Sequence, residues 1–188
     1  GSGNGNLGIR VSGTGSAISN SGNGRITLSG AGAGRINSGS NYGVGIDGGG
    51  VISTVDGAIS VSGSGGGAGS GANNHGVYIT GASSAIRRSG NGQLTIVGSG
   101  GNAGGSGSNN GGTVIDLGSK LTTVSGDIAI TGTGVRGSDV SLNSASVIGG
   151  ASTSGDVALT LDSLAGYASI NTSGSVAFIP RSAATSVG

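Results

Sequence analysis

Short stretches in which an aliphatic side chain recurs at every second position punctuate the whole chain. They read NGRITLSG (23–30), DGAISVSG (56–63), NGQLTIVG (91–98), SGDIAITG (125–132), SGDVALTL (154–161) and SGSVAFIP (173–180). Ile26, Ile59, Leu94, Ile128, Val157 and Val176 fall on the same side as Leu28, Val61, Ile96, Ile130, Leu159 and Phe178. The residues between them, such as Thr27, Ser60 and Thr95, point the other way. This period of two predicts a strand with one buried face. A turn glycine precedes each stretch: Gly24, Gly57, Gly92, Gly126, Gly155 and Gly174, spaced by 33, 35, 34, 29 and 19 residues.

Two further anchors keep a fixed order with the first. Ile18, Ile52, Ile86, Leu121, Ile148 and Ile170 each stand four to nine residues before a turn glycine. LGIRV (7–11), YGVGI (42–46), HGVYI (75–79) and GGTVI (111–115) open the first four units, with Asn6, Asn41, Asn74 and Asn110 two residues before their glycines. Three ordered anchors at a recurring period are the signature of a repeat architecture.

Strands this short do not fold alone. If each unit makes one turn of a coil, like strands of successive turns pair in parallel and bury their aliphatics inside. The pattern therefore predicts an all-β fold, a right-handed parallel β-helix with three short strands per coil and about five to six coils. The chain reads as one β-solenoid over 1–188, with long units of about 34 residues over 1–132 and shorter ones of about 20–29 over 133–188. At ~4.8 Å per rung the rod would be ~25–30 Å long. Glycines at the corners are expected to supply positive φ. The four asparagines either stack as an amide ladder or simply start turns, and the sequence leaves both open.

Composition sharpens this picture. Of 188 residues, 47 are glycine, one is proline and none is cysteine, and the net charge is +1. Collagen needs strict Gly-X-Y and abundant proline, and disorder goes with low hydrophobicity and high charge; neither fits. The glycine tracts 30–41, 63–74 and 98–110 occupy one slot, between the third strand of a unit and the first of the next, so they are loops of the repeat and not linkers. The charge gives no footprint for nucleic acid, and no apolar run approaches a membrane span. The start at Gly1 suggests a processed product or a segment of something larger.

The stretch NNHGVYITGASSAIRRSGNGQLTIVGSGGNAGGSGSNN resembles the repeats of very large secreted bacterial exoproteins of the filamentous-haemagglutinin-like adhesin type. SGDVALTLDSL…ASINTSGSVAFIPRS (154–182) is similar to shorter repeats of the same proteins. The resemblance covers nearly the whole chain and implies an extended β-helical shaft at the bacterial cell surface. The secretion domain of that family, with its asparagine-proline motif, is absent from this sequence.

Candidate chemistry is sparse. Asp47 and Asp116 share the slot after the first strand, with Ser12 and Thr80 on the other rungs. Asp127 and Asp156 share another on adjacent rungs, an arrangement that two stacked carboxylates could offer to Ca²⁺; solvated side chains are the expectation, and no cofactor is expected. His75, the single histidine, is expected at the surface. Arg87 and Arg88 form a local positive spot expected in a solvated turn, with anion or glycan contact as the other reading. Tyr42 and Tyr78 could stack on sugars from one face.

The leading expectation is a structural shaft of an extracellular adhesin or self-assembling filament, joined end to end or continued in a longer chain. The second is a glycan- or receptor-binding module acting through its stacked glycine-rich loops. An ice-binding face would need a regular threonine array. The outward slot of the second strand instead reads Ser19, Ser53, Arg87, Thr122, Gly149, Asn171. A polyglycine bundle conflicts with the aliphatic alternation, and an enzyme is the least expected outcome.

Overall fold

A computed structural model describes residues 3–182. The first coil holds β1 (Ile9–Ser12), β2 (Ala17–Asn20) and β3 (Ile26–Ala31), and the second β4 (Val44–Asp47), β5 (Val51–Thr54) and β6 (Ile59–Ser64). The third holds β7 (Val77–Thr80), β8 (Ala85–Arg88) and β9 (Leu94–Ser99), and the fourth β10 (Thr113–Asp116), β11 (Lys120–Thr122) and β12 (Ile128–Thr133). The fifth holds β13 (Val140–Leu142), β14 (Val147–Gly149) and β15 (Val157–Thr160), and the sixth β16 (Leu164–Gly166), β17 (Ser169–Asn171) and β18 (Val176–Ile179). Like strands pair in parallel into three six-stranded sheets, which is a parallel β-helix of six coils.

The register follows the hydrophobic pattern. Ile26, Ile59, Leu94, Ile128, Val157 and Val176 form one column, and Leu28, Val61, Ile96, Ile130, Leu159 and Phe178 a second. Ile18, Ile52, Ile86, Leu121, Ile148 and Ile170 form a third in the sheet of second strands. A slip of one residue would turn every aliphatic outward, so burial fixes the pairing. Ile52, Ile86, Ile96 and Ile130 are fully buried, whereas Phe178 in the sixth coil is 53% exposed, with no strand among the described residues paired on its far side. At about 1.5–3 kcal/mol per buried aliphatic, stability accumulates coil by coil.

The third strands of the first four coils run to six residues, longer than the alternation predicts. They continue through Gly30, Gly63, Gly98 and Gly132 into the corner, because glycine there lets the strand approach the start of the next coil. A Cβ on Gly63 would overlap the Gly76 carbonyl oxygen, and one on Gly43 the backbone nitrogen of Ser64.

The six turn glycines differ from expectation in their reason. None has positive φ. From the second coil on they are glycine because the corners stack backbone on backbone: a Cβ on Gly57 would overlap the Gly24 carbonyl, and one on Gly126 the Gly92 carbonyl, whereas Gly24 meets only the Asn20 side chain. Positive φ is used at the other corner, for instance at Gly48 and Gly49 between β4 and β5 (58° and 95°).

The glycine tracts are ordered and stack as a side lobe. Gly65 and Gly66 donate to the carbonyls of Ser99 and Asn41, and Ile36 forms a parallel bridge with Ala68. No helix among the described residues is long and apolar enough to cross a membrane.

Candidate functional site

Three sets of polar side chains are built into the coil. The first lies just before the first strands. The backbone N–H of Asn41 donates to Asn74 Oδ1 at 3.0 Å and its Nδ2 to the same oxygen at 2.9 Å. Asn6 makes the same pair of bonds to Asn41 Oδ1, both at 3.0 Å. The backbone of Asn74 donates to Asn110 Oδ1 at 2.8 Å. Asn41, Asn74 and Asn110 are fully buried, so these bonds satisfy groups that water does not reach. The ladder stops at Asn110 because the fifth coil presents Gly137 in that slot, packed against the Asn110 backbone.

The second set consists of aspartates, where the carboxylate of one coil accepts from the backbone of the next. Asp127 Oδ1 accepts from the Asp156 N–H at 2.9 Å, and Asp156 Oδ1 from the Ser175 N–H at 2.7 Å. These are the carboxylates that could have suited Ca²⁺; each has an oxygen committed to the backbone. Where the glycine loops drop out, buried Asp139 accepts from the N–H groups of Gly134 and Asp162, both at 2.6 Å. Asp162 in turn accepts from the N–H groups of Arg181 and Ser182 and pairs with the Arg181 guanidinium at 3.2 Å. The Ser182 N–H is the leading cause that holds Asp162 below the usual carboxylate range. On the first-strand face Arg10 forks onto Asp47 at 2.9 and 3.0 Å, and this hydrogen bonding lowers the Asp47 pKa. Among the described residues no group of three or more histidine, cysteine or acidic side chains is placed to hold a metal ion.

The third set closes the corner between second and third strands. Thr54 donates to the Gly57 carbonyl at 2.7 Å and Thr123 to the Gly126 carbonyl at 2.6 Å, each spanning three residues. The first and third coils are one residue longer here and carry Asn20 and Arg88 instead. Arg88 therefore departs from the expected solvated turn. It is 3% exposed, because its side chain folds over the corner and Nε donates to the Gly57 carbonyl at 2.8 Å. Burial pushes its pKa down, and Nη1 has no hydrogen-bond partner among the described residues. Arg87 points outward, into a groove of about 440 Å³ that it lines with Ser19, Ser53 and Thr122, and Arg88 lines the same groove. Both arginines thus border one groove, Arg87 from its exposed side and Arg88 from its buried edge.

His75 also departs from expectation: it is buried, at 4% exposure. Its ring stacks on Tyr42 (centroids 5.4 Å, 18°) and lies 5.3 Å from Tyr78, with Tyr42 and Tyr78 4.8 Å apart. The cause is the column it occupies, Leu7, Tyr42, His75 and Gly111, in which large side chains cover one another along the rod. Nδ1 accepts from the Gly111 N–H at 3.0 Å, which fixes the neutral tautomer with its proton on Nε2. Burial lowers the pKa to about 4. Beyond His75 the column ends at Gly111, and a groove of about 290 Å³ opens between these rings and the fifth coil.

The aspartate columns and the corner threonines carry signals in the sequence: acids recur beside the turn glycine, and threonine stands three residues before it in two coils. Asp139 has no such signal: one of its donors, Gly134, stands five residues before it and the other, Asp162, belongs to the next coil. No family model, curated protein or solved structure matches the chain.

Proposed function

We propose that this chain is a β-helical shaft segment of an extracellular adhesin or self-assembling cell-surface filament, whose work is mechanical. The observation that carries the reading is the unbroken register of three sheets through six coils, with the polar groups of the corners committed to neighbouring coils. A load along such a rod is shared among parallel backbone ladders and the side-chain ladders beside them. The carboxylates of Asp47, Asp127, Asp139, Asp156 and Asp162 all serve hydrogen bonds within the rod, which favours a structural over a catalytic role.

The sixth coil supports continuation of the rod. Leu164, Val176 and Phe178 continue interior columns yet are 44%, 45% and 53% exposed, beside the outer strands β16, β17 and β18. A further coil, from the same polypeptide or from a second copy, would cover them and pair those strands. Negative-stain imaging and sedimentation of the purified chain test this: thin rods associating end to end are expected, and a strictly monomeric particle at all concentrations counts against self-assembly. Antibody labelling of intact source cells tests the surface location. Signal confined to permeabilised cells would refute it.

A further inference from the structure

An asparagine followed by glycine readily loses its side-chain amide, because the glycine nitrogen is unhindered and its backbone turns freely. The chain holds four such pairs: Asn4–Gly5, Asn23–Gly24, Asn91–Gly92 and Asn110–Gly111. The fold treats them unequally. We propose that Asn23 and Asn91 are sites of spontaneous deamidation in the folded rod, whereas Asn110 is protected by the asparagine ladder. This goes beyond the shaft reading and does not depend on it.

In the reaction a base, hydroxide or a buffer anion, takes the proton of the glycine N–H, and the nitrogen attacks the asparagine Cγ. A C–N bond forms, the side-chain nitrogen takes up a proton and leaves as ammonia, and a succinimide ring remains. Water then opens the ring. Addition at the side-chain carbonyl gives aspartate, and addition at the backbone carbonyl gives isoaspartate. One water is consumed and one ammonia released. The glycine N–H must therefore be open to base, and the asparagine amide must be free to swing toward it.

Asn110 meets neither condition. It is fully buried, its Nδ2 donates to the Gly107 carbonyl at 2.9 Å, and its Oδ1 accepts from the Asn74 N–H at 2.8 Å. The Gly111 N–H donates to His75 Nδ1 at 3.0 Å. Asn4 is exposed but pinned: its Oδ1 accepts from the Gly39 N–H at 2.8 Å, and the Gly5 N–H donates to the Gly39 carbonyl at 3.1 Å. Asn23 and Asn91 differ on every count. Both are exposed, each stands at the corner that leads into a third strand, and neither side chain has a hydrogen-bond partner among the described residues. The N–H groups of Gly24 and Gly92 likewise have none there, and neither glycine is buried.

The two products would affect the rod differently. Aspartate keeps the backbone as it is, and the second coil already carries Asp56 in this slot, two residues before Ala58 and the third strand. Isoaspartate routes the backbone through the side-chain carbon and lengthens the corner by one atom. The third coil has no room for it: a Cβ on Gly92 would already lie 2.5 Å from the Asp56 carbonyl oxygen and 3.1 Å from the Ala58 nitrogen, and the Gly92 carbonyl packs against Gly126. Either product replaces a neutral amide by a carboxylate, so conversion at both sites takes the net charge from +1 to −1.

Incubating the intact chain at mildly alkaline pH in water enriched in heavy oxygen tests this without any substitution. Mass-spectrometric peptide mapping reads each pair separately, and the product at a reacting pair carries an oxygen taken from the solvent. A parallel sample unfolded in urea gives the rate of each pair without structure. In the folded rod Asn23 and Asn91 are expected to convert about tenfold or more faster than Asn110, whose reaction must wait for local opening, with Asn4 slower than Asn23 and Asn91. In urea all four should convert at similar rates. Asn110 converting as fast as Asn23 or Asn91 in the folded rod would overturn the assignment. So would failure of Asn23 and Asn91 to convert there while the unfolded sample does, or a difference between the pairs that persists unchanged in urea.

Discussion

Asn74 Oδ1 receives two hydrogen bonds from a single residue one coil away, the backbone and side-chain N–H groups of Asn41, at 3.0 and 2.9 Å. Both residues are fully buried. One amide oxygen thereby ties two coils together at a corner where the strands themselves have ended.

Removing that acceptor should be costly out of proportion to its size. Asn74→Ala leaves the buried Asn41 backbone N–H without its acceptor and Asn41 Nδ2 with only its bond to Ser38 Oγ at 3.2 Å, and each lost partner of a buried group costs about 1–3 kcal/mol. A loss of about 2–5 kcal/mol is expected, read as a shift of the urea midpoint at unchanged slope. A loss below the value of a single hydrogen bond would mean that the corner relaxes to recruit other acceptors.

His75 sets an acid limit. Its folded pKa, about 4, lies below the ordinary value of 6.5, so the folded state prefers the neutral ring. Protonation then favours unfolding: the stabilisation is complete above pH 6.5 and is lost as pH falls from there toward 4. The difference corresponds to about 3 kcal/mol. Denaturation midpoints measured across this window should decline, and the decline should be absent in His75→Leu. Asp47, whose pKa is lowered, adds its own loss only at more acidic pH.

The two kinds of glycine should respond differently to alanine. At Gly57 a Cβ would overlap the carbonyl of Gly24, whereas at Gly104 (φ 85°) nothing stands within 4 Å. Gly57→Ala is expected to cost about 3 kcal/mol or more, through displaced backbone. Gly104→Ala should cost about 1–2 kcal/mol, from the left-handed conformation alone. Thermal melts of the two variants make the comparison directly, and equal losses would contradict it.

Arg88 supplies the opposite case, a buried charge whose removal is expected to be mild. The Gly57 carbonyl that accepts from Arg88 Nε also accepts from Thr54, so it stays satisfied when the arginine goes. Arg88 Nη1 is buried without a partner, a penalty that Arg88→Met removes while keeping the apolar stem. A change within about 1 kcal/mol in either direction is expected from chemical denaturation. A loss above about 3 kcal/mol would show that the guanidinium holds the corner.

The coil register was readable because it depends on a period of two interrupted at fixed intervals, and Ile26, Ile59 and Leu94 stack as that pattern demands. The burial of His75 and Arg88 was not, because it depends on which side chains lie on the coils above and below. Each is a polar residue at a junction whose hydrogen-bond partner, Gly57 for Arg88 and Gly111 for His75, is 31 or 36 residues away. The turn glycines were recognised by position but for a different reason, since φ and backbone proximity leave the same letter in the sequence.

The loops between third and first strands set how far a given length of polypeptide reaches. The long units span 33 to 35 residues and the last only 19, yet each contributes one strand to every sheet. Each therefore extends the rod by the same ~4.8 Å. An array of loop-free units would span nearly twice the distance of an equal number of residues in looped ones, while the looped form is thicker and carries more lateral surface. Length and girth can thus be altered independently by adding or deleting sequence at that one corner.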